Sequence, residues 1–252
     1  MDVLVCVKRV PMVGGRIVLS DDGQDVDTKL LGFTVSPHEE CAVEEAVRIV
    51  EAHGGSVSVL TLGPPEAEEQ LRDALAVGVD DAMHLVTDAQ EWDPQASAAA
   101  IVEVVRAAEE AYDLLLFGNE SADAGNFQIG ARVAHALGLP WVTGVKAIAL
   151  EDHGVRCEVA VAGGGRDVYR TALPAAVGVL EGLNLPRYPS VPGRLRAKRK
   201  PLESRTSQRP AARLEKLALA LPPGSGRQVR ILGEGAGAAP AVVAVLGELG
   251  LL

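Results

Sequence analysis

The sequence has few of the features that mark membrane or secreted proteins. No apolar run approaches the roughly 18 residues that a membrane-spanning helix needs. The first seven residues, MDVLVCV, have neither the cationic start nor the cleavage site of a signal peptide, which predicts a cytoplasmic protein, or a mitochondrial matrix protein in a eukaryote. Cys6, Cys41 and Cys157 are far apart, with no CxxC motif and no histidine cluster nearby, so we expect reduced thiols and no metal site.

The motifs of common nucleotide enzymes are also missing. The sequence has no P-loop and no paired acid–base motif, so we expect no catalytic residues. The stretch GEGAGAAP has glycines at 233, 235 and 237 and misses the GxGxxG spacing, which disfavours an NAD dehydrogenase. The net charge of −10 argues against nucleic acid as a partner.

Short apolar runs alternate with helical patterns along the first half of the chain. The runs are VLVCV (3–7), VSVLTL (57–62), AMHLVT (82–87) and DLLLF (113–117), and the helical patterns span about 37–53, 65–77, 94–111 and 126–137. Ser36, Pro37 and Glu39 have the spacing of an N-cap, a first helical residue and the acid of a capping box. This order predicts an α/β fold with a doubly wound, mostly parallel, Rossmann-like sheet.

The second half of the chain has a different pattern. Two alternating runs with turns near 153–154 and 163–165 predict an added antiparallel hairpin, and AAVGVLEG predicts one more strand. From Leu183 to about 223 the chain is rich in proline and basic residues, which predicts an extended arm lying on something else or a solvated charged tail. We therefore divide the chain into a nucleotide-binding domain, 1–182, and a second part, 183–252, which holds a partner-binding arm and a C-terminal strand and helix.

The loop that follows DLLLF is the best candidate for a binding site. Gly118 allows a turn, several polar side chains follow, and the first amides of the next helix attract an anion such as phosphate. In parallel sheets, ligands bind beyond the carboxyl ends of the strands, where this loop and the helix start at Ser36 both fall. An ordinary capped loop, and a capping box without a ligand, remain open alternatives. His38 is expected to be a surface residue.

Six stretches, in order, resemble the small (beta) subunit of electron transfer flavoproteins over residues 1 to about 203. They are VLVCVKRVP, SPHEECAVEEAVRI, DALAVGVDDAMHL, DxxxxQxG within 123–130, LGLPWVTGV and LNLPRYPSVPGRLRAKRKPL. The resemblance implies a heterodimer with a larger alpha subunit, which holds most of one FAD. It also implies electron transfer from dehydrogenases to a membrane quinone reductase or another acceptor, with AMP bound by the beta subunit.

The resemblance also assigns site residues. The AMP-contacting set falls on Cys6, Ser36, Pro37, His38, Glu39, Leu62, Gly118, Asn119, Glu120, Ser121, Ala122, Asp123, Ala124, Gly125, Asn126, Phe127, Gln128 and Ile129. The backbone of 123–129 would hold the phosphate. The partner-binding set falls on Pro186, Arg187, Tyr188, Val191, Pro192, Arg196, Lys198, Arg199 and Lys200, with Val191 at the place of a leucine anchor.

Three positions depart from the family pattern. Ser36 stands where the family commonly has asparagine, the hairpin at 159–169 lacks an arginine and an acid, and the loop at 11–15 lacks an aromatic residue. Two alternatives stay open. One is a bifurcating-type member with a second FAD in the AMP site, and the other is a stand-alone nucleotide-binding protein of similar fold.

Overall fold

The predicted alternation of apolar strands and capped helices is present in the folded chain. The computed structural model describes residues 1–12, 14, 17–88, 91–152, 154–223 and 229–252, in two compact units, Met1–Leu217 and Ala218–Leu252. The strands are β1 (Asp2–Val7), β2 (Val10–Pro11), β3 (Phe33–Thr34), β4 (Ser56–Gly63), β5 (Asp81–Val86), β6 (Leu114–Gly118), β7 (Trp141–Glu151), β8 (Gly154–Ala160), β9 (Arg166–Ala172), β10 (Ala175–Val179) and β11 (Glu203–Thr206). The helices are α1 (Pro37–His53), α2 (Glu68–Val77), α3 (Pro94–Ala107), α4 (Ile129–Leu137), α5 (Val191–Ala197) and α6 (Ala239–Glu248).

One large sheet organises the first unit. Its strand order is β11-β5-β4-β1-β6-β10-β7-β8-β9, and β2 pairs with β3 in a separate ribbon. The strands from β11 to β7 are parallel, whereas β8 and β9 are antiparallel to their neighbours. The predicted doubly wound sheet with an added antiparallel hairpin is therefore confirmed. The chain runs outward from β1 through β4 to β5 and then returns to β6, so the order reverses between β1 and β6.

The central strands are apolar because helices cover both faces of the sheet. Val3 and Val5 of β1 belong to one buried cluster with residues of α1 and α2. Leu4 of β1 belongs to a second buried cluster with residues of α3 and α4. A parallel strand that is buried on both faces needs a continuous apolar run instead of an alternating one. This packing fixes the carboxyl ends of β1 and β6 side by side.

The helix starts follow the predicted capping chemistry more closely than the helix ends do. Asp93 Oδ1 accepts hydrogen bonds from Gln95 N and Ala96 N at 2.8 and 3.1 Å, which caps α3. The helix ends at Ala107, four residues before the predicted end at 111. Two glutamates follow, at 109 and 110, and negative charge at a helix C-terminus is unfavourable.

The helix predicted at 126–137 starts later, as α4 at Ile129. Phe127 has a positive φ of 56° and so cannot lie in a right-handed helix. The turn that this residue makes separates the loop after β6 from the first turn of α4. The loop is therefore longer than the sequence pattern indicated.

Much of the basic arm belongs to the first unit and forms a helix and a strand there, whereas the sequence predicted an extended arm lying on something else or a solvated charged tail. Residues 191–197 form α5, and β11 pairs with β5 in register Glu203↔Met83 and so becomes the edge strand of the sheet. Farther along, Arg213 N donates to Asp93 Oδ2 at 3.2 Å. The boundary between the two compact units falls after Leu217. The packing uses small residues and charged groups, which give no hydrophobic period in the sequence.

The second unit holds the predicted terminal helix, α6, preceded by a 3₁₀ turn at Gly235–Ala238. Residues 229–232 do not form the predicted strand. Parts of three expectations lie outside the described residues: the loop at 11–15, the turn at 153–154 and the strand start at 228. Within the described part of the chain, no helix is both long and apolar enough to cross a membrane.

Candidate functional site

A cleft of about 390 Å³ lies at the carboxyl end of β6, next to the point where the strand order reverses. It is formed by the start of α1, the loop after β6 and one residue after β10. The lining residues are Pro37, His38, Glu120, Ser121, Ala122, Asp123, Ala124, Gly125 and Glu181. Eight of these nine, all except Glu181, belong to the set that the sequence assigned to AMP. We call this space the cleft.

Gly118 allows the start of α1 to pack directly on the end of β6. A Cβ atom at this position would lie 2.7 Å from Glu39 Cγ and 3.3 Å from His38 Cβ. The glycine is therefore required by a close approach of two elements. This approach places the N-terminal turn of α1 beside the loop that follows β6.

Two hydrogen bonds tie α1 to the loops around the cleft. Ser36 Oγ accepts from Ala122 N at 2.9 Å, in addition to its part in the predicted capping box with Glu39. His38 Nδ1 accepts from Glu181 N at 2.7 Å, so the ring proton is on Nε2, which lies 3.7 Å from Glu120 Oε1. His38 is thus a half-buried wall of the cleft and not the surface residue that was expected.

Glu39 is a buried carboxyl group beneath the cleft. Its Oε2 accepts from Ser36 N and its Oε1 accepts from Lys8 N, both at 3.0 Å. Burial raises the pKa of Glu39 to about 8. Burial, and then the nearby Glu39 charge, also raises the pKa of the Cys6 thiol. All three cysteines are free, as expected, and the side chains of all three are buried.

Lys8 is the cation next to the cleft. Its Nζ lies 2.6 Å from Asp123 Oδ2 and 3.0 Å from Glu91 Oε1. Burial opposes the charge of Lys8, but the two carboxylates offset this effect and hold the pKa of Lys8 above its ordinary value. Burial likewise opposes the charge of Asp123, and Lys8 holds the pKa of Asp123 below its ordinary value.

The backbone between β6 and α4 uses several of its amides inside the chain. Ala124 N donates to Asp123 Oδ1 at 2.7 Å and Gly125 N donates to Ser121 O at 3.0 Å. The first amides of α4 have no acceptor within their own helix. The amides of Ala124 and Gly125 are therefore used inside the chain, whereas the start of α4, where the helix dipole also favours negative charge, is a candidate place for an anion.

The remaining residues of the predicted AMP set lie around the cleft without lining it. Asn119 Oδ1 accepts from Thr143 Oγ1 at 2.6 Å and from Gly144 N at 3.0 Å, which ties the loop to β7. Cys6 belongs to the buried cluster on one face of the sheet, and the half-buried Leu62 packs against that cluster. Residues 126–129 continue the loop into α4, and Gln128 Oε1 accepts from Arg132 Nε and Nη2.

Two residues of the site were missed by sequence reasoning, Lys8 and Glu181. Lys8 directly follows β1, and Glu181 lies two residues beyond the end of β10. Both positions are at the ligand-binding edge of the sheet. This position at the carboxyl end of a parallel strand is the sequence signal that could have identified both residues. Among the described residues, no group of three or more His, Cys, Asp or Glu side chains has the arrangement of a metal site.

The predicted partner-binding residues fall into two groups. Tyr188, Val191, Pro192, Arg196, Lys198 and Arg199 are exposed. Arg187 and Lys200 are half-buried, with their charged groups bonded to the chain itself, and Pro186 is also half-buried.

Comparison with known proteins shows the family of the chain. The electron transfer flavoprotein domain matches residues 27–209, which defines the class of protein. Over 210 residues the chain is 34% identical to electron transfer flavoprotein subunit beta of Bacillus subtilis, covering 81% of this chain and 78% of that one. It is 33% identical over 238 residues to the subunit of that name from Bradyrhizobium diazoefficiens, covering 92% and 93% of the two chains. The corresponding subunit of Syntrophomonas wolfei is 32% identical over 232 residues, with 92% and 90% covered.

The chain belongs to the electron transfer flavoprotein beta-subunit family. Membership implies an electron-transfer role in a flavoprotein. The expectation drawn from the six sequence stretches is confirmed at this level.

Proposed function

We propose that this chain is the beta subunit of a heterodimeric electron transfer flavoprotein and that it binds AMP structurally in the cleft. It completes the FAD site of a larger alpha subunit. The complex carries electrons from dehydrogenases to a membrane quinone reductase or another acceptor. The observation that supports this proposal best is the coincidence of the cleft lining with the residues assigned to AMP from sequence.

The cleft suits a mononucleotide in size, whereas the described residues of its lining hold the carboxylates of Glu120, Asp123 and Glu181 and no lysine or arginine, so the backbone must supply the contacts to the phosphate. Its volume of about 390 Å³ is at the lower end of the range for ligand pockets, roughly 300 to 1,000 Å³, which favours AMP over a second FAD. The phosphate would be held by amides at the start of α4, since the amides of Ala122, Ala124 and Gly125 are already used inside the chain. Lys8 lies beside the cleft and offsets the negative charge of Asp123.

The chain supplies no catalytic group in this proposal. Glu39 accepts two backbone hydrogen bonds beneath the cleft, and His38 accepts one from Glu181 N. Both side chains thus hold loops in place. An electron carrier needs short distances between cofactors and does not need an acid–base pair, which fits this arrangement.

The docking of a dehydrogenase is assigned to residues 186–200. Tyr188 and Val191 expose 94% and 72% of their surface, and basic side chains surround them. Valine is one methylene smaller than the leucine of the family pattern. Its burial in a pocket of the dehydrogenase should therefore contribute about 0.8 kcal/mol less to the binding free energy.

Substitution at the anchor tests this assignment. We expect Val191→Asp to slow electron uptake from a dehydrogenase, because a charge would enter an apolar pocket. Val168→Asp, at an exposed valine of β9, is the matched control. Flavin content is measured on the same samples. Loss of flavin in the Val191 variant would make the segment part of the flavin site and would contradict a docking role.

Co-purification tests the function as a whole. We expect the chain, expressed with its alpha subunit, to elute as a yellow heterodimer with one FAD and one AMP. Two FAD molecules and no AMP would support the bifurcating alternative. A colourless monomer that does not bind an alpha subunit would support the stand-alone alternative and contradict the proposal.

A further inference from the structure

Arg187 directs its guanidinium group onto the surface of α1 in its own chain. Its Nη1 and Nη2 donate to the two carboxylate oxygens of Glu51 at 2.7 and 2.9 Å. Its Nε and Nη2 donate to the two carboxylate oxygens of Glu44 at 2.9 and 3.1 Å. Its backbone N also donates to Glu44, at 3.0 Å. All three guanidinium nitrogens are therefore used inside the chain, in paired bonds of the strongest kind.

The partner of Arg187 is a buried carboxylate. The Glu44 side chain is only 3% exposed, and it also accepts from Arg48 Nε at 2.6 Å. Removing one member of a buried ion pair is costly because the other charge is left uncompensated. Asn184, three residues before Arg187, is also bonded to α1: its Nδ2 donates to Cys41 O and to Glu45 Oε2, both at 2.9 Å. The start of the arm is thus fixed to α1.

The other end of the same segment is fixed near α2. Lys200 Nζ donates to Val79 O at 2.9 Å and to Asp80 O at 3.0 Å. Arg72 Nη1 donates to Ala197 O at 2.8 Å and to Lys200 O at 2.6 Å. A lysine and an arginine thereby donate to backbone carbonyl groups near the ends of α2 and α5, as basic side chains commonly do at helix C-termini.

The middle of the segment turns apolar side chains outward. Val191 and Leu195 are four residues apart and share one face of α5, where both are exposed. Gly193 and Ala197 share the opposite, buried face. A Cβ atom on Gly193 would lie 2.4 Å from Ala76 O, so α5 packs with its backbone against α2.

We propose that Arg187 and Lys200 are positioning residues that fix a docking segment, residues 188–196, to α1 and α2 without touching the partner dehydrogenase themselves. This inference rests on the proposed function and reassigns two residues that the sequence placed in the contact set. A segment that is already ordered does not lose conformational freedom on binding, which strengthens binding. Arg196, Lys198 and Arg199 keep the contact role.

Kinetics of the complete flavoprotein test this assignment. The complex with its alpha subunit is reduced by a dehydrogenase that reduces the wild type, at several ionic strengths. If Arg187→Met leaves the segment competent about one tenth of the time, the apparent affinity falls about tenfold. We therefore expect a KM for the flavoprotein about tenfold higher, with kcat changed less than about twofold. Arg187→Lys keeps the charge but loses the paired hydrogen bonds, so its KM should lie between that of the wild type and that of Arg187→Met.

Salt dependence separates positioning from contact. Arg187 does not face the partner in this proposal, so Arg187→Met should leave the ionic-strength dependence of kcat/KM unchanged. Arg196→Met, the control, removes an exposed charge and should reduce that dependence. An equal reduction in both variants would show that Arg187 contacts the partner and would overturn the inference.

Hydrogen exchange gives a readout that needs no dehydrogenase. In the same complexes, amides 190–197 should exchange faster in Arg187→Met and in Lys200→Met than in the wild type or in Arg196→Met. Unchanged exchange, or loss of flavin from the Arg187 variant, would overturn the inference. If no dehydrogenase reduces the wild-type complex, the proposed function fails, while the exchange comparison still decides whether these residues fix the segment.

Discussion

Gly118→Ala perturbs the packing beneath the cleft, where the start of α1 meets the end of β6. The new Cβ would lie 2.7 Å from Glu39 Cγ, whereas ordinary contacts begin near 3.4 Å, so Glu39 must retreat by about 0.7 Å (3.4 − 2.7). Glu39 is buried and holds two backbone amides, those of Ser36 and Lys8. The shift therefore strains the start of α1 and the end of β1 together.

The expected cost follows from these contacts. Overpacking a buried site costs about 1 to 3 kcal/mol, and a weakened hydrogen bond adds about 1 kcal/mol. We expect Gly118→Ala to lower the free energy of unfolding by about 2 to 4 kcal/mol in urea titrations followed by circular dichroism. The AMP content of the purified complex should fall as well, because the wall of the cleft moves.

A glycine in open space provides the control for this prediction. No atom of the described residues lies within 4 Å of the position that a Cβ on Gly14 would take, so Gly14→Ala should change stability by less than about 0.5 kcal/mol. If Gly118→Ala were as stable as Gly14→Ala and kept its AMP, the packing argument for the cleft wall would be refuted.

Three further substitutions test neighbouring parts of the structure. Gly130→Ala should destabilise α4 by about 2 kcal/mol in the same titration, because its Cβ would lie 2.2 Å from the Trp141 ring; unchanged stability would contradict this. Burial raises the pKa of Glu39 from 4.5 to about 8, so the wild type should lose up to about 1.4 kcal/mol of stability per pH unit as the pH rises through this interval, relative to Glu39→Gln. If the free energy of unfolding had the same pH dependence in the wild type and in Glu39→Gln, this prediction would be contradicted. Asp93→Ala should cost about 1 kcal/mol through the lost cap of α3. Burial opposes the Asp93 charge but amide hydrogen bonds hold its pKa below the ordinary value, so this difference should shrink below about pH 4 and should not grow.

The local parts of the fold could be predicted from the sequence because their signals lie close together in the chain. Ser36, Pro37 and Glu39 fall within four residues and define the start of α1. The apolar runs define the central strands, since those strands are buried on both faces. The loop at 118–125 followed from its place after a buried strand, where ligand-binding loops of parallel sheets occur.

The parts that could not be predicted depend on residues far apart in sequence. Lys8 contacts Asp123 only because β1 and β6 are neighbours in the sheet. The order of the strands cannot be predicted from any single segment of the sequence. Glu181 enters the cleft through its backbone bond to His38. The arm packs through Gly193, Ala197 and the buried ion pair of Arg187, so its composition resembles that of a solvated segment although α5 and β11 lie on the first unit.

A crystal structure of the native heterodimer would test the central claim most directly. The account predicts electron density for one AMP molecule in the cleft, with its phosphate on the first amides of α4 and its remaining surface against the start of α1. A cleft that is empty, or filled by the Glu120 and Glu181 side chains, would contradict the account.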